Sequence, residues 1–159
     1  MKENLLRFAR HMLTIVLFAL PSASYADAIL TITANGASEA FSFEELAAIP
    51  QTKVVTKNDY TDNSVEFTGP RLRDVLAPYE VGPNKTLIMR AINDFAVNIP
   101  ASDAFEYDVI LALFSNGEKM SIREKGPIWV IYPMDDHPEL RDDSYNSRLV
   151  WQLVSITVE

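Results

Sequence analysis

Few residues of this chain could carry catalysis. Its 159 residues include no cysteine and two histidines, one of which, His11, lies in a leader-like N-terminal segment. His137 would have to serve any Ser-His-Asp triad, yet it precedes a proline in a polar stretch, and no Gly-x-Ser-x-Gly elbow occurs. One histidine without cysteine also supplies too few ligands for a zinc site. These residue types argue against a hydrolase and against zinc chemistry.

Charged and glycine-rich motifs are equally weak. Five glycines are present, and none are spaced as in a phosphate-binding loop. The acidic stretch from Asp135 to Asp143 offers carboxylates to a divalent cation, but it matches no spaced calcium loop. A solvated acidic loop is the simpler interpretation of that stretch.

Aromatic side chains offer the more specific binding chemistry, because a flat ligand ring can stack on an aromatic face. Most buried aromatic residues only fill a core. Tyr60 and Phe95 are the stronger candidates, since they lie at polar turns with less core to fill. The other aromatic candidates are Trp129, Tyr132, Tyr145 and Trp151.

The elements that must position these residues begin after a leader. Residues 1–26 have the layout of a cleaved secretory signal: a basic start, the apolar run Met12 to Leu20, and Ser24-Tyr25-Ala26 before the cut. The apolar run is shorter than the about 20 residues that span a bilayer, so an uncleaved anchor is the weaker alternative. We predict one periplasmic domain over residues 27–159, without direct membrane insertion after cleavage.

The charge balance excludes some partners. The leader holds three of the 14 basic and one of the 22 acidic residues, which leaves 11 against 21, a net charge of −10. Such a domain is unsuited to nucleic acid or to an anionic membrane as its main partner.

The pattern of short apolar segments predicts a β-dominated α+β domain with a few short helices. Ser42 to Glu45 is a capping box that predicts a helix from Phe43 to before Pro50. A second helix is predicted over residues 71–76, and Asn35-Gly36 and Asn116-Gly117 are turn signals. The predicted strands are 29–33, 53–56, 65–68, 86–91, 96–99, 109–114, 119–122, 128–132 and 149–158.

A long polar loop, Pro133 to Arg148, separates the last two predicted strands. Loops of this length in a compact domain are often functional.

Several motifs together resemble the oxidoreductase molybdopterin-binding domain, which sulfite oxidase and its bacterial relatives carry. The resemblance covers nearly the whole chain after the leader and implies a sulfite-oxidase-like fold. Its motifs, in chain order, are Phe67-Thr68-Gly69 with Leu72 to Leu76, Ala91 to Phe95 with Ile99-Pro100, Ser115 to Glu118, Gly126 to Pro133, and Arg148 to Gln152.

Two departures from the family pattern affect its chemistry. Family oxidoreductases hold molybdenum through a cysteine in the loop before the F-x-G turn, whereas the matching loop here, Lys57 to Asp62, has none. Hard oxygen ligands are no equivalent of a thiolate. The family also usually has an arginine for the cofactor's phosphate and pterin where this chain has Trp129.

The resemblance therefore implies a pocket for a pterin or a similar flat heterocycle, without molybdenum. Short exported members of the family look like pterin-binding sensors that report to a membrane-bound cyclic-di-GMP enzyme. Carried over, this role implies a non-catalytic protein whose ligand is a pterin and whose possible partner is the periplasmic domain of a membrane signalling protein.

The candidate site residues combine stacking faces with polar groups. Asp94 beside Phe95 would pair a carboxylate for the pterin's 2-amino and N3–H edge with a ring for stacking. Arg123 and Lys125 could instead be exposed hairpin charges, and Arg148 could pair with the acidic loop. The full candidate set is Tyr60, Asp94, Phe95, Arg123, Lys125, Trp129, Asn146, Ser147 and Arg148.

Two other functions are compatible with the sequence. The first is a molybdopterin-dependent oxidoreductase with an unusual ligand, or its accessory subunit. The second is an interaction domain that binds only protein at a surface edge.

Overall fold

The computed structural model of the chain describes residues 28–159, so the predicted signal peptide lies outside the described residues. Strands dominate this part of the chain, and the helices are short, which confirms the predicted α+β class. Among these residues, no helix is long and apolar enough to cross a membrane.

The strands are β1 Ala28–Ala34, β2 Ala37–Ser42, β3 Gln51–Thr56, β4 Val65–Pro70, β5 Thr86–Ala91, β6 Ala96–Pro100, β7 Ile110–Ala112, β8 Phe114–Ser115, β9 Glu118–Lys119, β10 Trp129–Ile131 and β11 Leu153–Val158. The α-helices are α1 Phe43–Ala48, α2 Leu72–Leu76, α3 Asp103–Glu106 and α4 Asp143–Asn146, and 3₁₀ turns span Ala77–Tyr79, Ile122–Glu124 and Pro138–Arg141.

A five-stranded sheet in the order β2-β1-β11-β5-β6 forms one layer of the domain. The last strand, β11, lies at its centre, parallel to β1 and antiparallel to β5. The inward residues of β1, β5 and β11, such as Ile32, Met89 and Ile156, are fully buried in the larger hydrophobic cluster.

Two smaller sheets form the other part of the domain. One has the order β3-β4-β8-β9, and the other pairs β7 with β10. A second hydrophobic cluster fills the space between them, with Phe67, Trp129 and Ile131 buried and Trp151 packed against it.

The local sequence signals are confirmed where they depend on neighbouring residues. The Ser42 Oγ accepts from the Glu45 N–H at 3.2 Å, and the Glu45 carboxylate accepts from the Ser42 N–H at 2.7 Å, as a capping box requires. Asn116 and Gly117 have φ values of 49° and 83°, which closes the two-residue hairpin between β8 and β9.

Several predicted boundaries are wrong. The predicted strand 119–122 ends at Lys119, because Ile122 begins a 3₁₀ turn. The predicted strand 149–158 begins only at Leu153, because Gln152 has a φ of 50° and interrupts the extended backbone. Strand β2 was not predicted, and α4 interrupts the predicted polar loop.

Candidate functional site

A mostly apolar cavity of about 290 Å³ lies where three connecting segments meet, and we call it the aromatic cavity. The segments are the loop between β3 and β4, the turn between β5 and β6, and the chain from the end of α4 towards β11. The volume lies just below the range of about 300–1,000 Å³ typical of small-molecule sites. Its lining residues are Tyr60, Ala91, Asn93, Phe95, Asn146, Ser147, Leu149, Val150 and Trp151.

Three aromatic rings give this cavity its character. Tyr60 and Trp151 meet edge to face, with ring centroids 4.9 Å apart and an interplanar angle of 75°. Tyr60 is 38% exposed and Phe95 is 47% exposed, so neither ring is buried in the hydrophobic core. Exposed aromatic faces beside an apolar cavity suit a flat heterocycle.

The β5–β6 turn holds Phe95 at the cavity by backbone geometry. The Ala91 N–H donates to the Phe95 carbonyl at 2.9 Å, and Asp94 takes a left-handed φ of 66° between them. The Ile92 N–H donates to the Gln152 carbonyl at 3.0 Å. This bond ties the turn to the segment that carries Trp151, so the aromatic walls are positioned together.

The polar groups at the cavity are neutral amides and a hydroxyl. Asn93, Asn146 and Ser147 line it. The Asn146 Nδ2 donates to the Asp59 carboxylate, which joins α4 to the loop that carries Tyr60. An amide offers both donors and an acceptor, so this lining can match a ligand edge that has both.

The structure brings together four of the predicted site residues, Tyr60, Phe95, Asn146 and Ser147. Asp94 lies in the same turn, but its side chain is 92% exposed and does not line the cavity. Asn93, which the sequence prediction omitted, takes the lining position instead.

Trp129 lies in the core, although the sequence prediction placed it at the ligand. Its side chain is 3% exposed, and its ring meets Phe67 edge to face at 5.2 Å. Its Nε1 donates to the Leu149 carbonyl at 3.1 Å. Trp129 thus supports a cavity wall from behind and offers no free face to a ligand.

Arg148 is partly buried and bonded within the protein. Its guanidinium pairs with the Asp103 carboxylate at 2.6 Å, and the Tyr132 hydroxyl donates to the same oxygen at 2.7 Å. Burial is the main cause that raises the pKa of Tyr132 well above its usual value, and it keeps this hydroxyl a donor. Arg148 therefore fixes the position of its neighbours Ser147 and Leu149, which line the cavity, and does not line it itself.

Arg123 and Lys125 do not line the cavity. Arg123 is exposed on its 3₁₀ turn. The Lys125 ammonium lies 5.1 Å from the centre of the Trp129 ring, and the Lys125 carbonyl accepts from the Gln152 N–H. Both residues belong to a segment that contacts Gln152, next to Trp151, since the Gln152 Nε2 also donates to the Ile122 carbonyl at 2.8 Å.

Trp151, one of the aromatic candidates, is the main cavity residue that the full candidate set left out. The sequence does contain a signal that separates it from Trp129. Trp129 lies in the unbroken apolar run 128–132, as expected of a strand buried on both faces, whereas Trp151 is followed by a polar glutamine.

A second, polar cavity of about 250 Å³ adjoins the first through Asn146. It contains two basic and two acidic side chains, so its charges balance. Burial alone would raise the pKa of Asp135, but bonds from the Lys57 N–H and the Ser64 hydroxyl, with Arg141 nearby, lower it. The lining residues are Lys57, Asn58, Asp59, Met134, Asp135, Arg141 and Asn146.

Comparisons with known proteins agree with this architecture. Residues 19–135 match the family described as the oxidoreductase molybdopterin binding domain. The sulfane dehydrogenase SoxCD from Paracoccus pantotrophus has a similar fold, with a TM-score of 0.63 and 21% sequence identity over 86% of this chain. The match covers 39% of that protein's chain, so this chain spans about two fifths of it. No curated protein sequence matches the chain.

Proposed function

Since the chain belongs to the oxidoreductase molybdopterin-binding domain family and has its sulfite-oxidase-like fold, we propose that it binds a pterin, or a similar flat heterocycle, without catalysing a reaction. The aromatic cavity is the observation that carries this proposal. Tyr60, Phe95 and Trp151 offer stacking surfaces around a space of about 290 Å³.

The loop that precedes the F-x-G turn does not fit a molybdenum centre. A thiolate is the soft ligand that such a centre takes from this family, and the sequence has no cysteine. Here the loop offers the Asn58 amide, whose oxygen accepts from the Tyr60 N–H, and the Thr61 hydroxyl, which is bonded to the Asn58 backbone. Among residues 28–159, no three His, Asp or Glu side chains cluster to hold a metal ion. No redox step follows from these residues.

The neutral polar groups suit the edge of a pterin ring. A pterin presents a 2-amino group, an N3–H and a carbonyl, which need one or more acceptors and a donor. Asn93 can offer its Nδ2 as a donor, since its Oδ1 accepts from the Phe95 N–H, and Asn146 can offer its Oδ1 as an acceptor, since its Nδ2 donates to Asp59. Ser147 adds its hydroxyl oxygen as a second acceptor. The predicted anchoring role of Asp94 passes to these amides, because the Asp94 carboxylate is exposed to solvent.

The proposal extends to a signalling role in the periplasm. The leader-like residues 1–26 support export, and the resemblance supports transfer of the ligand signal to a membrane-bound cyclic-di-GMP enzyme. Ile92 and Phe95 are 56% and 47% exposed in the turn beside the cavity, where a partner's periplasmic domain could sense occupancy.

Fluorescence titration with a pterin tests the binding step. We expect saturable quenching of tryptophan fluorescence, because Trp151 lines the cavity. Tyr60→Ala should weaken binding about tenfold, the loss of one aromatic contact. Val55→Ala is the matched control, since Val55 is 56% exposed on β3 and lines neither cavity.

Metal analysis of protein purified from its native periplasm tests the alternative. A pterin-like absorbance band without molybdenum supports the proposal. Stoichiometric molybdenum would contradict it and favour the molybdopterin-dependent oxidoreductase, or its accessory subunit. Failure of every added pterin to bind would favour the interaction domain.

A further inference from the structure

Asn58 carries a side-chain donor without a partner among the described residues. The residue is 5% exposed, and its Nδ2 makes no hydrogen bond within residues 28–159. Its Oδ1 accepts from the Tyr60 backbone N–H at 2.9 Å. Because a backbone N–H can only donate, this bond fixes which end of the amide is oxygen. The Nδ2 is therefore a fixed donor in need of an acceptor.

The loop around Asn58 is built to hold that amide in place. The Asn58 N–H donates to the Thr61 hydroxyl at 3.1 Å, and the Thr61 N–H donates to the Asn58 carbonyl at 3.1 Å. Asp135, from a distant segment of the chain, holds both ends of this loop. Its carboxylate accepts from the Lys57 N–H and from the Ser64 hydroxyl at 3.0 Å each. A buried donor held this firmly is costly to leave unpaired, which indicates that something in the cavity accepts from it.

Asn58 lines the polar cavity, and the charges there determine what kind of acceptor fits. Lys57 and Arg141 face Asp59 and Asp135, and Arg141 is already paired with Asp135 at 3.1 Å. Because Arg141 and Asp135 neutralise each other, an anionic group would meet one further cation, Lys57, and one further carboxylate, Asp59, and gain no net attraction. A neutral oxygen acceptor loses less hydration on entering such a cavity, so it fits better.

The two cavities are close enough to share one ligand. Asn146 lines both, and its bond to Asp59 forms part of the boundary between them. Asn58 and Tyr60 lie two residues apart in the same loop, one at each cavity. A ligand whose ring lies at Tyr60 therefore has the polar cavity beside it, on the far side of Asn146.

Building on the proposed pterin binding, we propose that the polar cavity is a subsite for a neutral, hydrogen-bond-accepting substituent of the same ligand, with the Asn58 Nδ2 as its donor. Asn58 would then determine which substituted heterocycles the protein prefers. The ring would bind through the aromatic cavity, and the substituent would be selected separately.

A matched set of pterins tests this subsite by equilibrium titration of the purified protein. The ether oxygen of 6-methoxymethylpterin can only accept a hydrogen bond, 6-propylpterin has the same shape without that oxygen, and pterin-6-carboxylate carries a negative charge. We expect the ether to bind about tenfold more tightly than the propyl compound, the worth of one hydrogen bond, and more tightly than the carboxylate.

Asn58→Asp keeps an acceptor for the Tyr60 N–H but removes the donor, so it should abolish the preference for the ether. Asn98→Asp is the matched control, because Asn98 is exposed on β6, away from both cavities. The comparison of ligands on the unaltered protein stands even if Asn58→Asp fails to fold.

The outcomes separate the subsite from the proposed function. Equal binding of ether and propyl compounds, or tighter binding of the carboxylate, would overturn the subsite and leave pterin binding intact. Retention of the ether preference in a folded Asn58→Asp variant would also overturn it. If none of the three compounds binds, the proposed function fails, and the subsite fails with it.

Discussion

The ion pair between Arg148 and Asp103 has a structural role that the sequence could not reveal. Residues 146–148 resemble the family's loop over the pterin, and that resemblance suggested Arg148 as a ligand donor. Its partner Asp103 lies 45 residues earlier, and only the folded chain brings the two within 2.6 Å. Arg148 is a positioning residue for the cavity wall.

Replacement of Arg148 by methionine should lower the free energy of unfolding by about 3 kcal/mol. The reason is that Asp103 is 4% exposed and would keep a buried charge without its partner. Chemical denaturation followed by circular dichroism measures the change. Arg90→Met is the control: its pair with Asp94 spans 3.9 Å between exposed side chains, so a change under about 0.5 kcal/mol is expected. Equal losses in both variants would contradict the structural role of Arg148.

Phe95 and Trp129 show what residue types alone can predict. An aromatic residue in a polar turn has little core to join, so the exposed position of Phe95 followed from its neighbours. The ring of Trp129 lies in the core because the strand around it is covered on both faces, which depends on the packing of distant sheets. Composition cannot supply that information, although the unbroken apolar run around Trp129 hints at it.

At the scale of elements, Gly69 explains physically why a glycine occupies the F-x-G turn. Strand β4 passes so close to β7 that a Cβ at Gly69 would overlap the Leu111 carbonyl and lie 2.8 Å from the Ala112 Cα. These are backbone atoms in a buried strand and cannot move aside singly. The glycine lets the two sheets approach.

Gly69→Ala should therefore destabilise the fold by about 3 kcal/mol, at the upper end of overpacking costs. Gly82→Ala provides the same change without the clash, because no atom lies within 4 Å of a Cβ built there. Thermal and urea unfolding of the two variants should diverge. A Gly69→Ala protein as stable as the Gly82→Ala protein would show that β4 and β7 are not in such close contact.

Elements that rest on adjacent residues were predictable, and so were most strands with a strong apolar pattern, whereas strand β2 and the start of β11 were not. The capping box of α1 and the Asn116-Gly117 turn satisfy their own backbone groups within a few residues. Strand β2 has a weakly hydrophobic sequence, Ala37 to Ser42, and forms because the preceding turn lays it against β1. The start of β11 depends on the left-handed Gln152, whose N–H bonds the distant Lys125 carbonyl.

At the scale of the whole molecule, the last strand is the centre of the fold. Strand β11 joins β1 to β5, and without it the five-stranded sheet would divide into two pairs of strands. The segment that leads into β11 also supplies Leu149, Val150 and Trp151 to the aromatic cavity. The chain that completes the sheet thus completes the site, which couples the stability of the domain to the shape of its cavity.

The acidic side chains of the molecule make its stability depend on pH. Hydrogen bonds to Ser42 lower the pKa of Glu45, and hydrogen bonds to Ser121 lower the pKa of Glu124. The pKa of Asp135 is lowered too, since its hydrogen bonds and Arg141 outweigh the effect of burial. Carboxyl groups with a depressed pKa in the folded state bind fewer protons than in the unfolded state, so they stabilise the protein above the unfolded pKa and lose that effect as pH falls through the folded pKa.

We therefore expect the free energy of unfolding to fall as pH drops below 4.5, the ordinary pKa of Glu45 and Glu124. It should fall further below pH 3.8, the ordinary pKa of Asp135.

Asp135→Asn should be less stable than the unaltered protein at pH 7, because it loses its charge beside Arg141. The difference in the free energy of unfolding between the two proteins should shrink as pH approaches 3. Asp62→Asn is the control for the loss of one carboxylate, since Asp62 is an exposed residue of the same β3–β4 loop. Urea denaturation at a series of pH values measures all three. A constant difference between Asp135→Asn and the unaltered protein across the whole range would show that the Asp135 carboxylate does not hold the β3–β4 loop through its charge.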